Sequence, residues 1–316
     1  MSLEQIRGCL LGLAIGDALG APVEFMSLSA IKQRYGAGGI TDLETWSGFP
    51  AGSYTDDTQM TISTIEGMLA ADTRGRERGI VNWQEQVYHA YLRWLETQNH
   101  AYQRRAPGNT CLTALRSGVM GVVEKPINNS KGCGGVMRTA PVGLIFGPAD
   151  AFVHGMDYAA ITHGHPSGYL SAGYMAALIA CILAGDALED AIVRCNELLV
   201  AHPGHEETLD LVLRAVEAYH SGADVESAIR QLGEGWIGEE ALGIALFCVL
   251  RFPDDYAAAV IAAANHDGDT DSTASMAGAI LGTKLGAAAI PQEWIEQIEN
   301  RDQLEELAAA LARIAT

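Results

Sequence analysis

Glycine recurs at every fourth position in two stretches at opposite ends of the chain: Gly8, Gly12, Gly16 and Gly20, then Gly278, Gly282 and Gly286 with Ala274 in phase before them. Residues four apart on a helix share one face, so each stretch presents a stripe without side chains that another backbone can approach closely. Each such glycine costs about 1 kcal/mol of helix propensity relative to alanine, and the stripes therefore point to compensating close packing. Pairing the two stripes with each other would join both ends of the 316-residue chain in one domain. Other packing partners would serve equally well.

The intervening sequence has the same period. Val87, Tyr91, Trp94 and Leu95, then Leu188, Ile192, Cys195 and Leu199, then Leu209, Val212, Leu213 and Val216 recur at helical spacing, and so do Trp294, Ile298, Leu304, Leu307, Leu311 and Ile314. No comparable alternating strand pattern occurs. The expected fold is all-α, a single domain over residues 1–316. The loops at 36–39, 46–53, 104–109, 125–135 and 202–205 are too short and unbiased to link domains.

Charge narrows the partners. Thirty-nine acidic residues against 20 Lys and Arg give a net charge of −19, which argues against nucleic acid and anionic membrane as ligands. The uncharged run from Pro166 to Gly185 is long enough to span a bilayer, but its first half is small and polar, so a buried core helix is expected. The apolar run Gly8–Gly16 is bounded by Glu4 and Asp17 and reads as core rather than as a signal segment. Six scattered cysteines without a CxxC pair indicate free thiols in a reducing, cytoplasmic compartment.

Two acidic clusters stand at helix starts: Thr55-Asp56-Asp57-Thr58 before Gln59–Ala71, and Asp269-Thr270-Asp271-Ser272-Thr273 before the second glycine stripe. Capping accounts for one such residue per helix. Four carboxylates with interleaved hydroxyls exceed that need, although solvated acidic turns are common. If the clusters converge, Asp56, Asp57, Asp269 and Asp271 repel one another unless a cation joins them. A hard oxygen set suits Mg²⁺ or Mn²⁺, two divalent ions would balance four carboxylates, and Thr55 and Ser272 could add hydroxyl ligands. Elsewhere, the loop Gly132-Cys133-Gly134-Gly135 could cradle phosphate or be a plain turn. Arg138 beyond it could meet phosphate or a buried carboxylate. His163-Gly164-His165 is too sparse for zinc. Cys111 and Cys133 have no local basic partner that would make either a nucleophile.

Five blocks in order, GCLLGLAIGDALGAPVEF (8–25), GSYTDDTQM (52–60), SKGCGGVMRTAP (130–141), ITHGHPSGYLSAG (161–173) and NHDGDTDSTASMAGAILG (265–282), resemble the ADP-ribosylglycohydrolase family, which includes the dinitrogenase reductase-activating glycohydrolases. The resemblance implies an all-α domain with a dinuclear centre of two Mg²⁺ or Mn²⁺ ions gripping the distal ribose. Thr55, Asp56 and Asp57 match its first ligand motif, and Asp269, Asp271 and Ser272 its second, with serine where many relatives have threonine. Glu24 matches an acidic residue that covers the metals and takes part in catalysis in some relatives. The resemblance also implies that the backbone of Gly132, Cys133, Gly134 and Gly135 cradles the diphosphate and that His163 lines the pocket. The implied activity is metal-dependent hydrolysis of the bond between ADP-ribose and a protein or small-molecule acceptor, with Glu24 or a metal-bound aspartate (Asp57 or Asp269) as acid/base. Two rival readings are a dinuclear phosphohydrolase that attacks the diphosphate, and a noncatalytic ADP-ribose binder. On any of these readings an anionic ligand must be attracted by metals, by the loop N–H groups, or by Lys131 or Arg138.

Overall fold

The structure, a computed structural model, describes residues 2–79 and 81–315, and all of its regular elements are helical. The first five α-helices are α1 (Leu3–Gly20), α2 (Leu28–Tyr35), α3 (Asp56–Arg78), α4 (Trp83–Thr97) and α5 (Asn109–Arg116). Two 3₁₀ turns, Cys133–Gly135 and Ala140–Leu144, precede α6 (Pro148–Ala160), α7 (Pro166–Ala184), α8 (Leu188–Leu199), α9 (Glu206–His220) and α10 (Val225–Leu232). The chain ends with α11 (Gly238–Arg251), α12 (Tyr256–Ala264), α13 (Thr270–Leu285), α14 (Gln292–Gln297) and α15 (Arg301–Ile314). Among the described residues β-pairing is confined to three isolated bridges, one of which ties Gly132 to Ile237.

The two glycine stripes pack against each other. A Cβ placed on Gly8 would lie 2.0 Å from the Gly282 carbonyl oxygen, on Gly12 2.3 Å from that of Gly278, on Gly16 2.1 Å from that of Ala274, and on Gly20 2.3 Å from that of Thr270. Antiparallel α1 and α13 thus touch backbone to backbone, in register, along the full length of α1. Dispersion across this contact and burial of the flanking Leu, Ile and Ala side chains offset the propensity lost at each glycine. Two hydroxyls pin the register: Tyr256 donates to the Gly12 carbonyl (2.8 Å) and Thr270 to that of Gly20 (3.0 Å). The seam fixes the end of α1, with Glu24 just beyond it, beside the start of α13, where Asp269 and Asp271 lie.

Helix α7 packs on α6, α8 and α11, and 89% of its most apolar window is buried inside the protein, as expected of a core helix. It is the one helix among the described residues long and apolar enough to cross a membrane. Helix α3 extends well past Ala71, where the apolar pattern ends. Its last two turns are charged and largely exposed, and they stop at Gly79 in the left-handed region (φ 69°). Solvation and the terminal Arg76 and Arg78 sustain a stretch that amphipathic periodicity does not mark.

Candidate active site

Both acidic clusters open into one cavity of about 210 Å³, which Glu24, Asp56, Asp57, Asp269 and Asp271 line together with Ser272. All five carboxylates are buried. The capping explanation accounts for little of this. Thr55 caps α3 by accepting the Asp57 N–H (3.2 Å), and the side chain of Asp269, the residue preceding α13, makes no cap bond. The carboxylates are turned toward one another instead. Ser272 Oγ donates to Asp57 Oδ2 (2.8 Å) and so bridges the clusters, while the Thr55 hydroxyl bonds Asp271. The Cys133 thiol donates to Asp269 Oδ2 (2.6 Å), which brings a loop side chain, and not only loop backbone, into the site.

Burial raises every one of these groups, and repulsion from neighbouring carboxylates adds to it for all but Asp271. Asp56, Asp57 and Asp269 lie well above the usual carboxylate range because they are desolvated and face Asp271, which is itself raised by burial. Glu24 is pushed up to about 11 by burial and then by Asp271 and Asp269. No Lys or Arg side chain lines the cavity among the described residues. A cluster of hard oxygens with no counter-ion of its own fits a divalent cation. The tightest group is Glu24, Asp269 and Asp271, whose ligating oxygens lie within 4.8 Å of one another. That group marks one cation position, where the sequence led us to expect two. It also places Glu24 among the prospective ligands and not solely as a cover above them.

Two residues that the sequence reading passed over hold the Thr55 turn. Asp17, completely buried on α1, accepts from Thr55 N (2.9 Å), Thr58 N (3.0 Å) and Thr58 Oγ1 (2.6 Å). Burial, then Asp271, pushes its carboxyl up to about 7. A carboxylate between Gly16 and Gly20 in an otherwise apolar run was the available signal. Arg105 braces the same turn from the other side: it donates to the Tyr54 carbonyl (3.0 Å), pairs with Glu299, and lends its own carbonyl to Asp56 N (3.1 Å). Nothing in its local sequence announces this.

The glycine loop lies across the cavity as a 3₁₀ turn. Its first two N–H groups are already engaged, Gly132 with Ser130 Oγ (3.3 Å) and Cys133 with the Trp236 carbonyl (3.0 Å). Gly134 lines the cavity whereas Gly135 is buried and does not, so the expected four-donor cradle narrows to Gly134. His163 lines the same cavity, with burial and then the nearby Arg138 charge holding its ring down to about 3, so it is neutral. Arg138 does not line the cavity, and among the described residues it pairs with no carboxylate. It is fully buried, stacks on Tyr91 at 4.3 Å and donates to Thr162 Oγ1 (2.6 Å). Its Nη1 lies 3.5 Å from Cys111 Sγ, a basic neighbour that the sequence does not show, yet burial still raises that thiol. Lys131 is spent on Glu207 (2.9 Å) and Glu239 (2.6 Å). The charge of Lys131 is thus neutralised, whereas that of Arg138 lies behind the cavity wall and is felt there at His163 and Cys111. At the mouth, exposed Phe25 stacks on Trp236, whose ring is 5.8 Å away.

Comparison with known proteins agrees with this architecture. A model of the family described as ADP-ribosylglycohydrolase matches residues 2–316. An uncharacterized protein of Archaeoglobus fulgidus is 32% identical over 98% of this chain and 96% of its own length. The ADP-ribosyl-dinitrogen reductase glycohydrolase of Rhodospirillum rubrum is 25% identical over 96% of this chain and 92% of its own. A solved structure described as an ADP-ribosylglycohydrolase-related protein complex superposes with a TM-score of 0.75 at 25% identity, covering 99% of each chain.

Proposed function

The chain belongs to the ADP-ribosylglycohydrolase family, and from that premise we propose that it hydrolyses the glycosidic bond at C1″ of an ADP-ribosyl group, releasing free ADP-ribose from its acceptor. The observation that carries the reading is the shared cavity. Buried carboxylates without a basic counterpart face a glycine turn and a neutral histidine across a space of about 210 Å³. A −19 chain attracts a diphosphate only where local chemistry reverses its field.

Asp56, Asp57, Asp269 and Asp271, with the hydroxyls of Thr55 and Ser272, would hold two Mg²⁺ or Mn²⁺ ions. Such ions supply Lewis-acid chemistry and an anchor for ribose hydroxyls. The protein's own groups do the rest. The carboxylate cluster stabilises the positive charge that develops on the ribose ring as the bond to the acceptor breaks. In the metal-free protein burial and its acidic neighbours raise Glu24, a cation beside it would lower it again, and its place in the cavity sets it against the bond to be broken. This suits it to protonate a departing acceptor, with Asp57 or Asp269 as the alternative acid/base. Asp17 and Arg105 keep the Thr55 turn in place, while the Gly134 backbone and His163 contact the diphosphate. Water adds across the C1″ bond, its hydroxyl to the sugar and its proton to the acceptor, with no redox change.

The acceptor is a protein side chain or a small molecule; for the Rhodospirillum rubrum relative it is dinitrogen reductase. The test is a panel of ADP-ribosyl substrates joined through arginine, serine or an ester, each incubated with Mg²⁺, Mn²⁺ or EDTA and the products separated by chromatography. Intact ADP-ribose from at least one linkage supports the reading. AMP with ribose phosphate would instead show attack on the diphosphate, and no product from any linkage would indicate a noncatalytic binder.

A further inference from the structure

Arg138 is fully buried, yet among the described residues no carboxylate lies within 4.0 Å of it, and its Nε has no partner. An unpaired buried cation is costly to keep. What its guanidinium does touch leads to the cavity. Nη2 donates to Thr162 Oγ1 at 2.6 Å, and that oxygen lies 2.8 Å from His163 Nδ1.

The direction of the second bond can be worked out. Arginine only donates, so Thr162 Oγ1 accepts from Nη2 and still has its own hydrogen to place. Three acceptors are within reach: His163 Nδ1 at 2.8 Å, the Ala159 carbonyl at 3.5 Å and the Cys111 sulfur, a weak acceptor that already takes Arg138 Nη1. That carbonyl already accepts Thr162 N–H (3.0 Å) and His163 N–H (2.9 Å), which fills both of its lone pairs. The hydroxyl hydrogen therefore goes to Nδ1, and the proton of the neutral ring sits on Nε2. Nε2 has no hydrogen-bonding partner among the described residues and faces the glycine turn, where a Cβ on Gly132 or on Gly134 would lie 3.4 Å from it. Burial and the adjacent guanidinium keep the ring from taking a second proton.

We propose that Arg138 and Thr162 are positioning residues that hold His163 as the Nε2–H tautomer, so that the ring presents one fixed donor to an anionic ligand group at the glycine turn. The identity of that group as a phosphate of ADP-ribose rests on the function proposed above; the tautomer does not. A ring free to protonate Nδ1 would turn a lone pair toward the ligand and repel it.

Long-range ¹H–¹⁵N correlation on the full chain with labelled histidine reads the tautomer directly, with His163→Gln identifying the resonance. The wild-type ring is expected to carry its proton on Nε2 between pH 5 and 8 without titrating. Thr162→Val, which keeps the shape and removes the hydroxyl, should shift the ring toward a tautomer mixture and weaken ADP-ribose binding in Mg²⁺ by about 10-fold or more. Thr162→Ser should restore both. A wild-type ring protonated on Nδ1, or on both nitrogens, overturns the proposal, and this reading needs no variant to fold. So does a Thr162→Val protein with unchanged spectrum and affinity. An Nε2–H ring in a wild-type protein that binds no ADP-ribose would support the tautomer and refute the ADP-ribosyl reading.

Discussion

Replacing Gly20 by alanine adds one methyl group at the point where the helix seam meets the carboxylates. Its Cβ would sit 2.3 Å from the Thr270 carbonyl oxygen and 2.5 Å from Asp271 Cα, whereas ordinary contact begins at 3.4 Å. Both obstacles are backbone, so α1 and α13 must part by about 1 Å. Overpacking of this kind costs about 1–3 kcal/mol, and the helix propensity gained by replacing glycine returns about 1 kcal/mol. With backbone on both sides the clash falls at the upper end of that range, and a net loss of about 2 kcal/mol lowers Tm by roughly 3 °C for a chain of 316 residues. Gly8→Ala makes the same clash, 2.0 Å from the Gly282 carbonyl, but about 18 Å further along the seam at 1.5 Å per residue. Both variants should therefore melt lower, whereas Gly38→Ala, whose Cβ would meet only Thr41 at 3.9 Å, should not. The distinguishing result is Mn²⁺ affinity measured by calorimetry. Gly20→Ala should lose about 10-fold or more, as disturbed outer-shell geometry does, and Gly8→Ala much less. Wild-type melting in both variants, or equal loss of Mn²⁺ binding, would refute the link between seam and site.

Other outcomes follow from the same geometry. In Asp17→Asn an amide replaces one of two accepting oxygens and leaves Thr55 N or Thr58 N facing a donor, so Mn²⁺ affinity should fall about 10- to 100-fold in a protein that still folds; unchanged affinity would remove Asp17 from the site. The raised Asp17 carboxyl, about 7 in the fold against about 3.9 unfolded, stabilises the metal-free protein fully below about pH 4 and progressively less as pH rises through about 7. The raised Glu24, Asp56, Asp57 and Asp269 act with the same sign. In EDTA the melting temperature should be higher at pH 5 than at pH 8, and Asp17→Asn should flatten that difference; a rise from pH 5 to 8 would contradict the burial argument. Glu24→Gln should lower turnover about 100- to 10,000-fold at saturating Mn²⁺, and a wild-type rate would transfer the acid/base role to Asp57 or Asp269. Gly132→Ala fits the fold, with Cβ contacts no closer than 3.4 Å, but places a methyl group against His163 Nε2; it should weaken ADP-ribose binding with no change in Mn²⁺ binding, and unchanged ADP-ribose affinity would move the phosphate site away from the turn.

The helical architecture was legible because a four-residue glycine period leaves little else for α1 and α13 to be. The stripes did not say whom they faced; that depended on carbonyl-to-Cα register across the seam, which no spacing encodes. Asp56, Asp57, Asp269 and Asp271 were legible as an excess over capping, and the structure does bring them to one cavity. Asp17 was not, because its role is to accept bonds from a turn about forty residues away. Arg138 was open between phosphate and a buried ion pair, the latter because its neighbours in sequence are apolar; its bonds run behind the pocket to Thr162. The glycine loop offered four donors on paper, and a local bond to Ser130 and a tertiary one to Trp236 consume two of them.

The central claim is that a cation turns this acidic cavity into a site for a dianionic nucleotide sugar, and calorimetry of ADP-ribose binding with Mg²⁺ and then with EDTA, on one preparation, tests it most directly. The account predicts saturable binding to one site per chain with Mg²⁺ and none detectable with EDTA, because without the cation buried carboxylates face the ligand and, among the described residues, no Lys or Arg lines the cavity. Equal affinity under both conditions would contradict it.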